Sequence, residues 1–208
     1  MHSFFEKVRN KDREVHQKET PSIEWILYIY KMNNNLILYI ASSQDGFISG
    51  ESDDLSFLKL VEIEGEDYGY LKFINSVEAI LVGRKTYDKV ISMGFPYHEN
   101  KNVYVISRDE KKLGKKKLTF FSNDISELVT QLKKSSTKNI YCDGGAELAK
   151  YLISKNLIDQ IILSIVPVEL KKGTLLFEKG IVPQNFQLKK TNKFESGLVQ
   201  FTYSKILS

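Results

Sequence analysis

Three apolar, strand-like runs of this chain each end in residues that suit a phosphate. Ala79-Ile80-Leu81-Val82 opens into Gly83-Arg84-Lys85-Thr86, and Asn102 to Ile106 opens into Ser107-Arg108. Asn139-Ile140-Tyr141-Cys142 opens into Asp143-Gly144-Gly145-Ala146-Glu147-Leu148. In α/β proteins the ends of strands, where helices begin, are where phosphates bind. At the first end, glycine allows a tight turn, Arg84 supplies a fork of donors, and Thr86 is predicted to cap a helix carrying Tyr87, Val90 and Ile91. At the second, a hydroxyl beside a guanidinium suits a phosphate monoester, such as the 2′-phosphate that separates NADPH from NADH. At the third, two glycines let a pyrophosphate approach a helix N-terminus, although the stretch is not G-x-G-x-x-G. Each also reads more plainly as a tight turn. Three together point to a dinucleotide.

The elements that must position these ends alternate. Leu36 to Ala41 is predicted as a buried strand, followed by a loop bracketed by Gly46 and Gly50. A helix is predicted over Tyr68–Val77, with Leu71, Ile74 and Val77 on one side. Ile125, Leu128, Val129 and Leu132 fall at i, i+3, i+4 and i+7, the spacing of an amphipathic helix, and Leu148, Ala149, Leu152 and Ile153 repeat it. Ile161 to Val168 is a long apolar strand. Phe186 to Lys189 and Leu198 to Tyr203 form an antiparallel pair around Ser196-Gly197. The order predicts an α/β fold: a single three-layer domain with a mostly parallel central sheet and an antiparallel C-terminal hairpin.

Composition narrows the partners. The 208 residues carry a net charge of only +4, with 42% hydrophobic and 27% charged residues, the profile of an ordinary globular domain. Charges of both signs are interspersed, which argues against a nucleic-acid surface. The densest basic run, Lys111-Lys112 and Lys115-Lys116-Lys117 beside Gly114, reads as a solvated turn. Cys142 is the one cysteine, so no disulfide forms within the chain, and it reads as a buried, inert thiol in a reducing compartment. His2, His16 and His98 have no metal-ligand spacing, and no metal site is expected. No apolar stretch is long enough to span a bilayer, and the N-terminus lacks the apolar core of a secretory signal. The expected location is the cytoplasm. Residues 1–33, with the only tryptophan at Trp25, read as an N-terminal extension, or as a segment that docks on the domain or on a second subunit; 34–208 read as the domain itself.

From about Leu36 to Ile206 the chain resembles the dihydrofolate-reductase-like superfamily. Within it, the chain is most similar to the C-terminal reductase domain of bacterial riboflavin biosynthesis and its stand-alone relatives. The resemblance is carried by Ala41-Ser42-Ser43-Gln44-Asp45-Gly46-Phe47-Ile48, Asp54-Leu55-Ser56-Phe57-Leu58 and Gly83-Arg84-Lys85-Thr86-Tyr87. Val105-Ile106-Ser107-Arg108, Asp143 to Leu148 and Val166-Pro167-Val168 continue it. It implies NADPH as the cofactor. Gly83, Arg84 and Thr86 would hold phosphates, Ser107 and Arg108 the 2′-phosphate, and Gly144, Gly145, Ala146, Glu147 and Leu148 the pyrophosphate; Ala41 and Ile48 would flank the nicotinamide.

On the substrate side the resemblance implies Asp45, Asp54 and Ser164 as catalytic residues. Asp143 stands where the riboflavin-type enzymes carry glutamate. Each of the three aspartates also reads as a solvated loop or turn-forming residue. Two departures fall near the expected substrate: Lys171-Lys172 within Glu169 to Phe177, in place of a glycine-rich turn, and Phe57 in place of tryptophan. The implied activity is NADPH-dependent reduction of a pteridine-like or aminopyrimidine-like heterocycle, as by 5-amino-6-(5-phosphoribosylamino)uracil reductase. Dihydrofolate reduction and a non-catalytic NADPH-binding regulatory module are the alternatives. The implied partners are a small-molecule substrate and a second copy of the chain as a homodimer.

Overall fold

The computed structural model describes residues 34–95, 97–108, 117–177 and 182–206. The expected extension over 1–33 and the lysine-rich turn at 111–116 lie outside the described residues.

β1 (Leu36–Ser43) leads into a short β2 (Phe47–Ser49), and two 3-10 turns, Glu51–Asp53 and Ser56–Val61, precede α1 (Tyr70–Asn75). β3 (Val77–Gly83) runs directly into α2 (Arg84–Ser92); β4 (Asn102–Ile106), β5 (Leu118–Phe121) and α3 (Ile125–Ser135) follow. β6 (Asn139–Gly144) and α4 (Ala146–Ser154) repeat the strand-into-helix step. The chain continues through β7 (Gln160–Val166), β8 (Thr174–Leu175), β9 (Phe186–Lys193) and β10 (Val199–Lys205). The main sheet has the order β5-β4-β3-β6-β1-β7-β10-β9. Its first six strands are parallel and β10 and β9 are antiparallel, as the sequence pattern predicts.

β1 sits in the middle of the sheet although it is the first described element: Leu36 pairs with Ile140 of β6, and Ala41 with Ser164 of β7. Its alternate residues feed two cores. Leu36 and Leu38 pack with Leu128, Leu132, Ala149 and Leu152 of α3 and α4. Ile37 and Tyr39 pack on the other face with Phe73 and Ile74 of α1 and with Tyr87 and Val90 of α2. These are the three layers.

Three expectations need correction. The helix predicted over Tyr68–Val77 is shorter, because Tyr68 and Gly69 both have positive φ and Val77 is drawn into the sheet opposite Asn139. Thr86 does not cap its helix. Gly83, still extended from β3, is the N-cap and Arg84 the first helical residue, so Thr86 lies inside α2. Ile161 to Val168 ends as a strand at Val166. β5 was not foreseen; it pairs Phe121 with Ile106 and puts one further strand beyond β4.

Candidate active site

The parallel strands deliver their C-terminal ends to one edge of the sheet, where open α/β folds place ligands. Gly83, Ile106 and Gly144 end three neighbouring strands there. The turns after β3 and β6 touch. A Cβ on Gly83 would stand 3.2 Å from the Gly145 nitrogen, and one on Gly145 would stand 2.9 Å from Thr86 Oγ1. Glycine is needed at both for close approach. Gly144 has φ of +91°, and the Gly144–Gly145 peptide is cis. α2 and α4 begin at these turns with no side-chain cap. α3 differs: Asp124 caps it, accepting from the amides of Ser126 and Glu127 at 2.7 and 3.2 Å.

The expected cofactor residues divide between this crest and its flanks. Gly83, Thr86, Gly144 and Gly145 come together; Ala146 and Leu148 are buried in the first turn of α4, where Glu147 is exposed. Arg84 lies partly exposed over the Phe120 ring, 5.3 Å from its centroid, and its Nε donates to Asp88 Oδ2 at 2.6 Å. Ser107 follows β4, its amide donating to the Phe121 carbonyl at 2.9 Å, and Arg108 is exposed beyond it. Ala41 is near the end of β1, and Ile48 on β2 packs against the α3–α4 core.

Beside this crest lies a cavity of about 450 Å3. Tyr39, Ala41, Tyr141, Asp143 and Ser164 enter it from one face of β1, β6 and β7, and residues between Leu58 and Tyr70 cover it. Tyr39, Tyr70 and Tyr141 build its aromatic wall: Tyr39 stacks on Tyr70 at 5.8 Å, and the buried Phe73 meets Tyr141 edge-on at 5.0 Å. Gln200 on β10 pairs with Ser164 in register and holds the polar side, its Nε2 donating to Ser164 Oγ at 3.2 Å and to Tyr39 Oη at 3.0 Å.

Asp143 is the acidic group inside the cavity. Tyr97 donates to its Oδ2 and Tyr141 to its Oδ1. Burial pushes the carboxyl up to about 7. Tyr70 Oη and His98 Nε2 lie 3.0 Å apart, and the Tyr97 and His98 rings meet edge-on at 5.4 Å. Burial, with Lys101 nearby, holds His98 below its ordinary value. Cys142, next in the chain, is fully buried and faces the other core; burial pushes its thiol up to about 12.

The other two expected carboxylates stand elsewhere. Asp45 ties loops together: Ser43 Oγ donates to its Oδ1 at 2.5 Å, and the amides of Leu170 and Lys171 donate to its two oxygens at 3.1 and 2.8 Å. Burial raises the Asp45 carboxyl, but these donors together outweigh it and hold the group below the usual range. Gly173 completes the clamp, since a Cβ there would fall 1.9 Å from the Ser49 carbonyl oxygen. The backbone of this loop is therefore held beside β2, and the exposed Lys172 Nζ lies 3.9 Å from Glu51 Oε1. Asp54 is fully exposed and accepts from the Ser56 hydroxyl and amide, which lower its carboxyl. Neither aspartate lines the cavity with Ser164.

The sequence reading gave no role to Tyr39, Tyr70, Tyr97, His98 or Tyr141. The adjacent Tyr97-His98 pair was the only local signal.

The model of the RibD C-terminal domain family matches residues 34–200. Two Bacillus subtilis (strain 168) proteins, the uncharacterized YwjB and YyaP, are each 33% identical to the chain. YwjB aligns over 78% of this chain and 94% of its own length, and YyaP over 83% and 98%. Among solved structures, a Shewanella sp. PV-4 protein provisionally ascribed to riboflavin biosynthesis aligns with TM-score 0.73 and 24% identity, covering 82% of this chain and 98% of that one. The Thermotoga maritima diaminohydroxyphosphoribosylaminopyrimidine deaminase/5-amino-6-(5-phosphoribosylamino)uracil reductase aligns with TM-score 0.64 and 16% identity, over 87% of this chain and 59% of that one. Enterococcus faecalis dihydrofolate reductase, complexed with NADP(H), aligns with TM-score 0.58 and 17% identity, over 82% and 96%.

Proposed function

The chain belongs to the RibD C-terminal domain family and has the dihydrofolate-reductase-like fold; from that premise we propose that it is an NADPH-dependent reductase of a flat, pteridine-like or aminopyrimidine-like heterocycle. One observation carries the reading. Asp143, an acid still able to hold a proton near neutral pH, stands one residue before the Gly144-Gly145 turn. A proton donor and a phosphate-binding crest thus share one strand end.

The residues present fit the cofactor. Two helix N-termini open side by side on glycines that leave no room for a side chain, and Ser107 and Arg108 lie beyond the adjoining strand. Gly83, Thr86, Gly144 and Gly145 would hold the pyrophosphate, and Arg108 with Ser107 the 2′-phosphate. When bound, NADPH supplies a hydride to a C=N or C=O carbon. Asp143 in its protonated form gives its proton to the adjoining nitrogen or oxygen, and the carboxylate left behind is reprotonated from solvent. Tyr97 and Tyr141 fix the carboxyl in place, and Ser164, held by Gln200, orients the ring edge.

Asp54, which the resemblance implies as catalytic, is exposed and stands outside the cavity, so it gives dihydrofolate reduction no support. The test is a titration with NADPH and NADH followed by fluorescence, with turnover measured on aminouracil and pterin substrates. Saturable NADPH binding, weaker for NADH, with oxidation that depends on the heterocycle, is the expected result. Binding with no turnover on any heterocycle would favour the regulatory module.

A further inference from the structure

We propose that the cavity beside Asp143 takes an uncharged or cationic ring compound and rejects phosphorylated ones. This rests on the reading above that the cavity holds the substrate. Among the described residues no lysine or arginine lines it, whereas Asp143 lies inside and the exposed Glu62, Glu66 and Asp67 form its rim.

Two of the rim carboxylates are held in position. Asp67 accepts from the amides of Gly69 and Leu71 at 2.8 and 2.9 Å, and Glu66 from the amide of Tyr68 at 2.6 Å. Their charge reaches the wall. Burial first, against the Gln200 hydrogen bond, and then the charges of Asp67 and Glu66 hold the Tyr39 phenol above its ordinary value. Neither Lys171 nor Lys172 lines the cavity, and Asp45 and Gly173 hold the backbone of their loop beside β2. Among the described residues that line the cavity, a phosphate dianion at the rim would meet carboxylates and no lysine or arginine. Like charges set against each other are a standard means of rejecting a ligand. An amino-substituted ring brings N–H donors to the same acceptors and carries no such penalty.

The probes are 5-amino-6-(5-phosphoribosylamino)uracil and the same compound without its phosphate. Each is titrated calorimetrically into the full chain, with and without NADPH. The phosphate-free compound is expected to bind at least tenfold tighter. Glu62→Gln combined with Glu66→Gln, which keeps the acceptor for the Tyr68 amide, should narrow that ratio; Glu62→Gln alone should narrow it in part. Equal or tighter binding of the phosphorylated compound, no binding of either, or a ratio indifferent to both variants overturns the proposal. NADPH affinity is read separately by fluorescence. Its absence would sink the reductase reading while leaving the phosphate ratio to be judged on its own.

Discussion

A carboxyl that ionises near neutrality turns pH into a direct probe of Asp143. Its folded value of about 7 stands above the roughly 3.9 of an unfolded aspartate, so between those values the folded chain binds the extra proton. The stability this group contributes is fully present below about pH 4 and is lost as pH rises through 7. Asp143→Asn should therefore flatten the fall in melting temperature between pH 4 and pH 7, measured by calorimetry across that range. Turnover should likewise decline as pH rises through 7, and the same variant should cost about 10²- to 10⁴-fold in kcat while sparing NADPH affinity. If Arg108 holds the 2′-phosphate as proposed, Arg108→Ala should weaken NADPH by about 1.5–3 kcal/mol, the loss of a charged contact, and leave NADH little changed. An Ala variant that still prefers NADPH would remove Arg108 from the site. The ends of β3, β4 and β6 were legible because an apolar run that stops at glycine, serine or arginine is a local pattern. The ring of tyrosines around Asp143 was not: Tyr70 and Tyr97 come from segments far from β6 in sequence, and only the fold brings them to it.

At the level of elements, the contact between α2 and α4 makes a sharp test. Gly145→Ala places a methyl against Thr86 Oγ1, a short side chain on a helix that cannot swing away. Lower stability and weaker NADPH binding are expected, and Thr86→Ala in the same chain should restore part of both. The double-mutant coupling, measured by chemical denaturation, should exceed about 0.5 kcal/mol, the level for residues in contact. Asp124→Ala removes the cap of α3 and should cost about 1 kcal/mol of stability. Most of these elements were readable from periodicity. Leu128, Val129 and Leu132 form the buried face that their spacing predicts. The misses share a cause. Thr86 has the right chemistry for a cap, but β3 enters α2 without a linker and leaves the cap position to Gly83. Val77 continues the apolar spacing of α1, yet its pairing with Asn139 wins it for the sheet. β5 has no alternation to show, and its partner β4 lies across the segment 109–116.

Across the whole molecule, the sheet separates its parts: β4, β3 and β6 carry the crest proposed to bind phosphates, β6, β1 and β7 the cavity, and β10 and β9 close one edge. Lys189, Lys190 and Lys193 are exposed on the outermost strand β9, where charge discourages pairing with another chain. No helix among the described residues is long and apolar enough to cross a membrane. The central place of β1 also has a consequence for synthesis. The ribosome makes this strand before any other described element, but its two neighbours, β6 and β7, emerge more than a hundred residues later. Until then Leu36, Ile37 and Leu38 have no sheet partner and their apolar side chains have no core to enter. Nascent chains stalled before β7 has left the ribosomal tunnel should be cut rapidly by protease, and chains stalled after β10 should resist. The strand at the centre of the main sheet is thus the one of that sheet that waits longest for a first neighbour, and the growing chain must keep it from other partners throughout that interval.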